Sequence, residues 1–131
     1  MTNIHWSWNE ISPPRFRLEV AGHTDYSGAE GNLVCAAVSI LTQALMAWVQ
    51  AQAKFGFVDK VNALRQQEGY ALIDVTVRPA WDARTLGAFS VILDGFRLLA
   101  ETYPENVRFG EKASLWEAAV TRGTMGEPGS S

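Results

Sequence analysis

The chain has 131 residues, of which 47% are hydrophobic and 19% are charged, and these proportions exclude disordered and fibrous proteins. Fourteen Asp and Glu residues outweigh 11 Lys and Arg residues, so the formal net charge is −3. That charge argues against a nucleic-acid-binding protein, because phosphate contacts require clustered cations. The length suits one domain with one hydrophobic core.

Three features of the sequence predict a cytoplasmic protein. Cys35 is the only cysteine, which excludes an internal disulfide and fits a reducing compartment. The first residues, MTNIHWSW, lack the basic region of a secretory signal. The longest apolar run, from Leu33 to Val49, is interrupted by Ser39 and Thr42, and we expect it to be too short to cross a membrane.

Two short segments near the start alternate apolar and polar residues with a period of two, which is typical of half-buried strands. Pro13 and Pro14 lie between them and favour a turn. The segments therefore predict an antiparallel hairpin that leads the chain into Gly22 and His23. Their apolar positions are Ile4, Trp6 and Trp8 in the first segment and Phe16, Leu18 and Val20 in the second.

A loop and a long helix follow this hairpin. Residues 24–31, TDYSGAEG, have the glycine-rich and polar composition of a mobile loop. Asn32 is a suitable N-cap, because its side-chain oxygen accepts a hydrogen bond from a free amide of the first turn. From Leu33 to about Ala53, apolar residues recur at three- and four-residue spacings, which predicts the central core helix.

The second half of the chain repeats the order of hairpin and helix. Residues 60–78 predict a hairpin whose turn falls at residues 68–69. Asp82 is a candidate N-cap for a second helix, which Pro104 ends. Residues 107–109 then predict a short edge strand.

These elements predict an α+β fold of two layers, in which two main helices pack on one face of a mostly antiparallel sheet. Residues 1–110 form the predicted domain. Residues 111–131 form a C-terminal extension, for which the sequence ASLWEAAVTRG predicts a short helix packed through Trp116. The final GEPGSS is typical of a disordered tail.

His23 and Cys35, on either side of the loop, are the residues that point to catalysis. With Asn32 as the N-cap, Cys35 falls in the first helical turn, where the helix dipole favours the thiolate. A nearby imidazole would act as general base, and free amides at the helix start would form an oxyanion hole. Without further context, however, a lone Cys in an apolar helix is more often a small buried hydrophobic residue.

The residues around this pair resemble the motif of the ribosomal-processing cysteine protease (Prp) family. That motif is Gly-His-Ala, a variable glycine-containing loop, then Asp-Ile-Val-Cys-Ala-x-x-Ser. Here the sequence reads GHT, the loop, then NLVCAAVS. The later stretch GFRLLAETYPENVRF is similar to the family's closing helix, Tyr-Pro turn and last strand. The resemblance covers about residues 2–109.

The resemblance implies an α/β fold, a homodimer and a His–Cys dyad without a cofactor. The activity of the family is removal of a short N-terminal extension from large-subunit ribosomal protein twenty-seven, next to an aromatic residue. Phage-encoded relatives are linked to the processing of phage structural proteins. The implied partner is therefore a peptide segment of a ribosomal or phage structural protein, with no direct nucleic acid and no membrane.

Carried over to this chain, the resemblance makes Cys35 the nucleophile and His23 the general base. Gly22 and Ser39 lie near the site. The chain departs from the family at Asn32, where an Asp is usual, and at residue 24, where an Ala is usual. The loop that would admit the peptide consists of Thr24, Asp25, Tyr26, Ser27, Gly28, Ala29, Glu30 and Gly31.

Other interpretations of these residues remain open. Asp25 is a candidate carboxylate partner for His23. The residues His5, His23 and Cys35 lack the paired spacing of a zinc site, so no metal is expected. Because Asn32 replaces an acid, the alternative function is a catalytically weak or inactive Prp-like homodimer that binds a peptide or serves as a scaffold.

Overall fold

A computed structural model describes residues 1–9, 14–22, 29–56, 58–78 and 83–110. These residues form one five-stranded sheet and two helices, and the predicted α+β class is confirmed. The order of the strands in the sheet is β3-β4-β2-β1-β5. The elements are β1 (Thr2–Asn9), β2 (Arg15–Ala21), α1 (Ala29–Phe55), β3 (Val58–Gln67), β4 (Tyr70–Val77), α2 (Ala83–Thr102) and β5 (Val107–Phe109).

Both predicted hairpins are present, and β2 joins them by pairing antiparallel with β1 on one side and β4 on the other. The predicted edge strand β5 pairs parallel with β1. The period of two places apolar side chains on the helical face of the sheet and polar side chains on the open face. Buried on the helical face are Ile4, Trp6, Trp8, Phe16, Leu18, Val20, Ala71, Ile73, Val75 and Val77.

Helix α1 begins at Ala29, four residues before the predicted start. Ala29, Glu30 and Gly31 therefore belong to the helix, and their assignment to the loop was wrong. Asn32 is an exposed residue within the helix, so its assignment as N-cap was also wrong. Ala and Glu are both good helix formers, and an acidic residue in the first turn suits the helix dipole, which accounts for the earlier start.

Helix α1 is apolar on both sides. Its inner side packs against the sheet through Val34, Val38, Leu45 and Val49, all of which are buried. The helix from Gly31 to Phe55 is long and apolar enough to cross a membrane by length and composition, contrary to the sequence-based expectation. Core helices of soluble proteins have the same properties, and one side of α1 is part of this core.

Helix α2 packs beside α1 and over the sheet. Gly95 brings the two helices close, because a Cβ at this position would lie 3.1 Å from a Leu41 methyl carbon. Phe89 stacks on Phe16 with 4.4 Å between the ring centroids, and its ring meets Trp48 edge-on at 5.5 Å. The helix ends at Thr102, before Pro104, as predicted. The predicted cap at residue 82 and the predicted helix in residues 111–131 lie outside the described residues.

Candidate active site

A cleft of about 480 Å³ opens where β2 ends, between α1 and the turn that joins β3 to β4. Val20, Val38 and Ala71 give it an apolar base, and polar residues of the turn form its rim. The described residues that line it are Thr2, Val20, Gly22, Cys35, Val38, Ser39, Thr42, Gln66, Gln67, Glu68, Gly69, Tyr70 and Ala71.

Cys35 lines this cleft and its side chain is exposed, so a peptide could reach the thiol. As the seventh residue of α1, it lies in the second turn rather than in the predicted first turn. The helix rises 1.5 Å per residue, which places Cys35 about 9 Å along the axis from the first residue. The free amides and the dipole effect are confined to the first turn, so both act on Cys35 less directly than the sequence suggested.

Ser39 lies four residues after Cys35 and lines the same cleft, as expected for residues one helical turn apart. One turn further, the buried Thr42 also borders the cleft. Its hydroxyl donates to the Val38 carbonyl oxygen at 2.8 Å, so its proton is committed to the helix backbone. Ser39 is thus the hydroxyl placed beside Cys35 on this side of the cleft.

The backbone at Gly22 fixes the end of β2, directly before His23. Gly22 has a φ of 112°, a conformation that favours glycine. Its N–H donates to the Gly69 carbonyl oxygen at 2.9 Å, which links β2 to the turn across the cleft. A Cβ at this position would clash with the carbonyl oxygen of Met1. The point at which the chain enters the predicted catalytic loop is therefore held from two sides.

Tyr70 forms part of the wall opposite α1. Its hydroxyl donates to a Glu19 carboxylate oxygen at 3.0 Å. Burial raises the pKa of Tyr70, and the hydrogen bond to Glu19 raises it further. Tyr70 therefore stays a neutral phenol near neutral pH, and its side chain lies with Glu19 on the open face of the sheet, so it borders the cleft through its position at the start of β4.

Three of the predicted site residues, Gly22, Cys35 and Ser39, meet at this one cleft. His23 and residues 24–28 of the predicted loop lie outside the described residues, so the His–Cys pairing stays a prediction. The second wall of the cleft, which the β3–β4 turn forms, was not predicted from the sequence. A turn was predicted at residues 68–69, but nothing in the sequence indicated that this turn lies at the same end of the sheet as Cys35.

Among the described residues, no group of three His, Cys, Asp or Glu side chains is arranged to hold a metal ion. The cleft offers a substrate the polar side chains of Ser39, Gln66 and Gln67 as hydrogen-bonding partners. Glu68 adds a negative charge at the rim. The cleft is thus suited to an extended peptide that places an apolar side chain on the base and its backbone against polar groups.

Comparison with known proteins identifies the family. The sequence profile described as cysteine protease Prp matches residues 9–108 of the chain. The chain belongs to the Prp cysteine protease family. The matched range includes both Cys35 and His23, and the family is one of thiol hydrolases that cut peptide bonds. No curated protein sequence matches the chain.

Two solved structures share the fold of this Prp family member. The crystal structure of SMU.848 from Streptococcus mutans is 22% identical, with a TM-score of 0.61 over 83% of this chain and 91% of that one. The essential ribosomal processing protease Prp from S. aureus, in complex with a substrate peptide, is 17% identical. Its TM-score is 0.59 over 86% of this chain and 100% of that one. At these identities the likeness concerns the fold.

Proposed function

We propose that the chain is a cytoplasmic cysteine endopeptidase in which Cys35 is the nucleophile and His23 the general base. The observation that carries this proposal is the exposed thiol of Cys35 in a cleft of about 480 Å³, in a member of a cysteine protease family. A structural Cys would be buried among apolar side chains, whereas this one faces the space that a peptide would occupy.

The reaction follows from a thiolate and an imidazole acting in sequence. His23 accepts the Cys35 proton, and the sulfur forms a bond to the carbonyl carbon of the scissile peptide. The tetrahedral intermediate then breaks its C–N bond, and the imidazolium returns the proton to the leaving amine. Water, deprotonated by His23, attacks the thioester and releases the carboxylate product and the Cys35 thiol.

The walls of the cleft supply binding rather than bond chemistry. The apolar base of Val20 and Val38 would accept an apolar side chain next to the scissile bond. The Ser39 hydroxyl lies one turn from the nucleophile and would donate to the developing oxyanion, a role that the free amides of the helix start are too far from Cys35 to share. Ser39 is thus the residue we expect to matter most after the dyad.

The substrate class extends the same proposal. The S. aureus relative is described as a ribosomal processing protease and was solved with a substrate peptide. We expect this chain to remove a short, partly apolar N-terminal segment from large-subunit ribosomal protein twenty-seven. If the chain is encoded by a phage, we expect a phage structural protein instead. The homodimer implied by the family resemblance stays a prediction.

The experiment incubates each candidate precursor with the wild-type protein, Cys35→Ala and Ser39→Ala, and measures the products by mass spectrometry. We expect one defined cut by the wild type, none by Cys35→Ala, and about 100- to 1,000-fold slower cutting by Ser39→Ala. Gln43→Ala, at an exposed position of α1 that does not line the cleft, is the control. Equal cutting by the wild type and Cys35→Ala would exclude Cys35 as the nucleophile.

A second function is favoured by the position of Cys35 in the second turn, away from the free amides. The chain would then bind the peptide without cutting it, as a weak or inactive relative. The rate of Cys35 alkylation as a function of pH separates the two functions. If the site is proteolytic, Cys35 is alkylated rapidly at pH 6, and His23→Ala slows this alkylation. If the chain only binds the peptide, Cys35 reacts as an ordinary thiol in the wild type and in His23→Ala alike.

A further inference from the structure

Glu68 is the one acidic or basic residue among the described residues that line the cleft. Apart from the Cys35 thiol, the other side chains of this lining are apolar or neutral. The Glu68 side chain is exposed, and within the described part of the chain it forms no hydrogen bond or ion pair. Its negative charge is therefore not compensated by these residues and is available to a bound peptide.

The turn between β3 and β4 holds Glu68 at the rim of the cleft. The turn consists of Glu68 and Gly69 alone, and the pairing of Gln67 with Tyr70 closes it. The Gly69 carbonyl oxygen accepts a hydrogen bond from the Gly22 N–H at 2.9 Å, so the turn is fixed to the end of β2. The charge thus has a defined position, on the opposite side of the cleft from α1.

The cations on the open face of the sheet do not offset this charge. Arg15 donates two hydrogen bonds to Asp74, and the Arg17 guanidinium lies 3.5 Å from a Glu19 carboxylate oxygen. Arg65 is exposed on the same face and forms no ion pair with the β3–β4 turn. The described rim of the cleft therefore keeps an excess of negative charge.

We propose that Glu68 selects substrates that carry a Lys or Arg side chain two to four residues from the scissile bond. This inference rests on the proposed function, the cutting of a peptide at Cys35. A cleft of about 480 Å³ is about 10 Å across if it is treated as a sphere. An extended peptide advances about 3.3 Å per residue, so about three residues separate the nucleophile from the opposite rim. A cation at that distance meets the carboxylate, whereas an acidic side chain is repelled.

The expected preference is small, because a charge at the rim is screened by water and salt. From the strength of exposed ion pairs, we expect a peptide with Lys to bind about two- to fivefold more tightly than the same peptide with Gln. The peptide with Glu should bind more weakly by a similar factor, because like charges across an interface repel. The charge would thus refine the choice made by the apolar base at Val20 and Val38.

Fluorescence anisotropy of labelled peptides measures this preference without cutting. The probes are short alanine-based peptides with one Phe for the apolar base and with Lys, Gln or Glu two, three or four positions from it on either side. The protein is Cys35→Ala, which lacks the thiolate and leaves Glu68 as the charged side chain of the described lining. We expect the Lys peptide to bind most tightly at low salt. The preference should fade at about 0.5 M salt, where screening lengths are a few Å.

Two further substitutions in the Cys35→Ala background assign the preference to Glu68. Glu68→Lys should reverse the order of the peptides, so that the Glu peptide binds most tightly. Glu68→Gln is the milder change and should make the Lys and Glu peptides bind equally. Neither substitution should strain the turn, because the positive φ of 76° belongs to Gly69. The control is Glu101→Lys, which changes the net charge by the same amount as Glu68→Lys at an exposed position of α2 outside the cleft lining. It should keep the preference for Lys.

The outcomes separate this proposal from the proposed function. Equal affinity of Cys35→Ala for the Lys, Gln and Glu peptides would overturn the selection by charge and leave peptide cleavage standing. A preference for Lys that persists in both Glu68 variants would also overturn the proposal, since another group would then attract the cation. Failure of every peptide to bind would contradict the peptide-cutting function itself and the selection with it.

Discussion

Gly22 is the described residue that most directly fixes the entry to the predicted catalytic loop. A side chain here would need a φ near 112° and would meet the Met1 carbonyl oxygen. We expect Gly22→Ala to lower the free energy of unfolding by at least about 1–2 kcal/mol, from the backbone conformation alone. The backbone next to His23 must also shift. We therefore expect the rate of peptide cleavage to fall by more than the loss of stability alone would explain.

The control for Gly22→Ala is Gly87→Ala, where the added methyl group meets no atom of the described residues within 4 Å apart from its own helix backbone and chain neighbours. Gly87 lies inside α2, so this substitution should stabilise the protein by about 0.5–1 kcal/mol and leave cutting unchanged. Urea unfolding and the mass-spectrometric assay measure the two effects. A Gly22→Ala protein with wild-type stability and activity would show that the end of β2 does not position the loop.

At the same scale, the sequence identified Cys35 but not its position in the helix. Asn is a common N-cap residue, so the helix was predicted to start directly after Asn32. The structure begins the helix at Ala29, because good helix formers outweighed the glycines on either side of them. Cap preferences of about 1 kcal/mol are small enough for such a shift, so the sequence pointed to Cys35 as a candidate nucleophile but could not place it within the helix.

At the scale of elements, Asp74 ties three strands together on the open face of the sheet. The Arg15 side chain on β2 donates two hydrogen bonds to its carboxylate, at 2.7 and 2.6 Å. Asn62 on β3 donates a weaker one at 3.3 Å. The hydrogen bonds from Arg15 hold the pKa of Asp74 below its usual value, with Asn62 adding to the effect against the opposing cost of burial.

This lowered pKa predicts a dependence of stability on pH. Because the folded pKa of Asp74 lies below the unfolded one, its contribution is complete above about pH 4 and is lost as pH falls through the folded pKa. We expect Asp74→Asn to cost about 1.5–3 kcal/mol at pH 7 and clearly less at pH 3. Urea unfolding at both pH values measures the difference.

The control for this prediction is Asp94→Asn. Asp94 is 60% exposed and lies 3.4 Å from Arg97 on the surface of α2. Exposed ion pairs contribute about 0–1 kcal/mol, so we expect a small loss of stability. If Asp74→Asn loses as much stability at pH 3 as at pH 7, the carboxylate charge is not what joins these strands.

The contact between the helices gives a further prediction. Gly95→Ala would bring a methyl carbon to about 3.1 Å from Leu41, which is too close for ordinary packing. Overpacking of this kind costs about 1–3 kcal/mol and should exceed the gain in helix propensity. We therefore expect Gly95→Ala to lower the free energy of unfolding, whereas Gly87→Ala in the same helix raises it. Stabilisation by both would mean that Leu41 moves aside without cost.

The sequence predicted most elements because their patterns are local. Alternation with a period of two marked both hairpins, and Pro104 marked the end of α2. The order of the strands was less accessible, because pairing between β2 and β4 depends on residues about 50 to 60 positions apart. For the same reason, no local pattern indicated that the β3–β4 turn would form one wall of the cleft at Cys35.

At the scale of the whole molecule, one cluster of buried apolar side chains joins both helices to the sheet. The sequence predicted the apolar inner side of α1, but its apolar outer side was not anticipated as a surface. Both sides carry residues of the same kind, and hydropathy alone does not distinguish a buried side from an exposed one. Only packing separates them: Val34 is fully buried, whereas Leu33, next to it in sequence, is 58% exposed.

Phe89 is the side chain that connects all three parts of the core. It is fully buried on α2, stacks on Phe16 of the sheet and meets Trp48 of α1. We expect Phe89→Ala to cost about 3–5 kcal/mol, since it removes a large side chain and both ring contacts. A domain of this size has about 5–15 kcal/mol of stability in total, so one substitution would remove a large part of it.

Because Phe89 joins both helices to the sheet, we expect its loss to destabilise the chain as one unit. Far-UV circular dichroism and Trp fluorescence should therefore give the same lowered urea midpoint for Phe89→Ala. Gln43→Ala, at an exposed position of α1, is the control and should change stability by less than about 0.5 kcal/mol. If the two probes separate in Phe89→Ala but coincide in the control, the helices unfold independently of the sheet and Phe89 does not couple them.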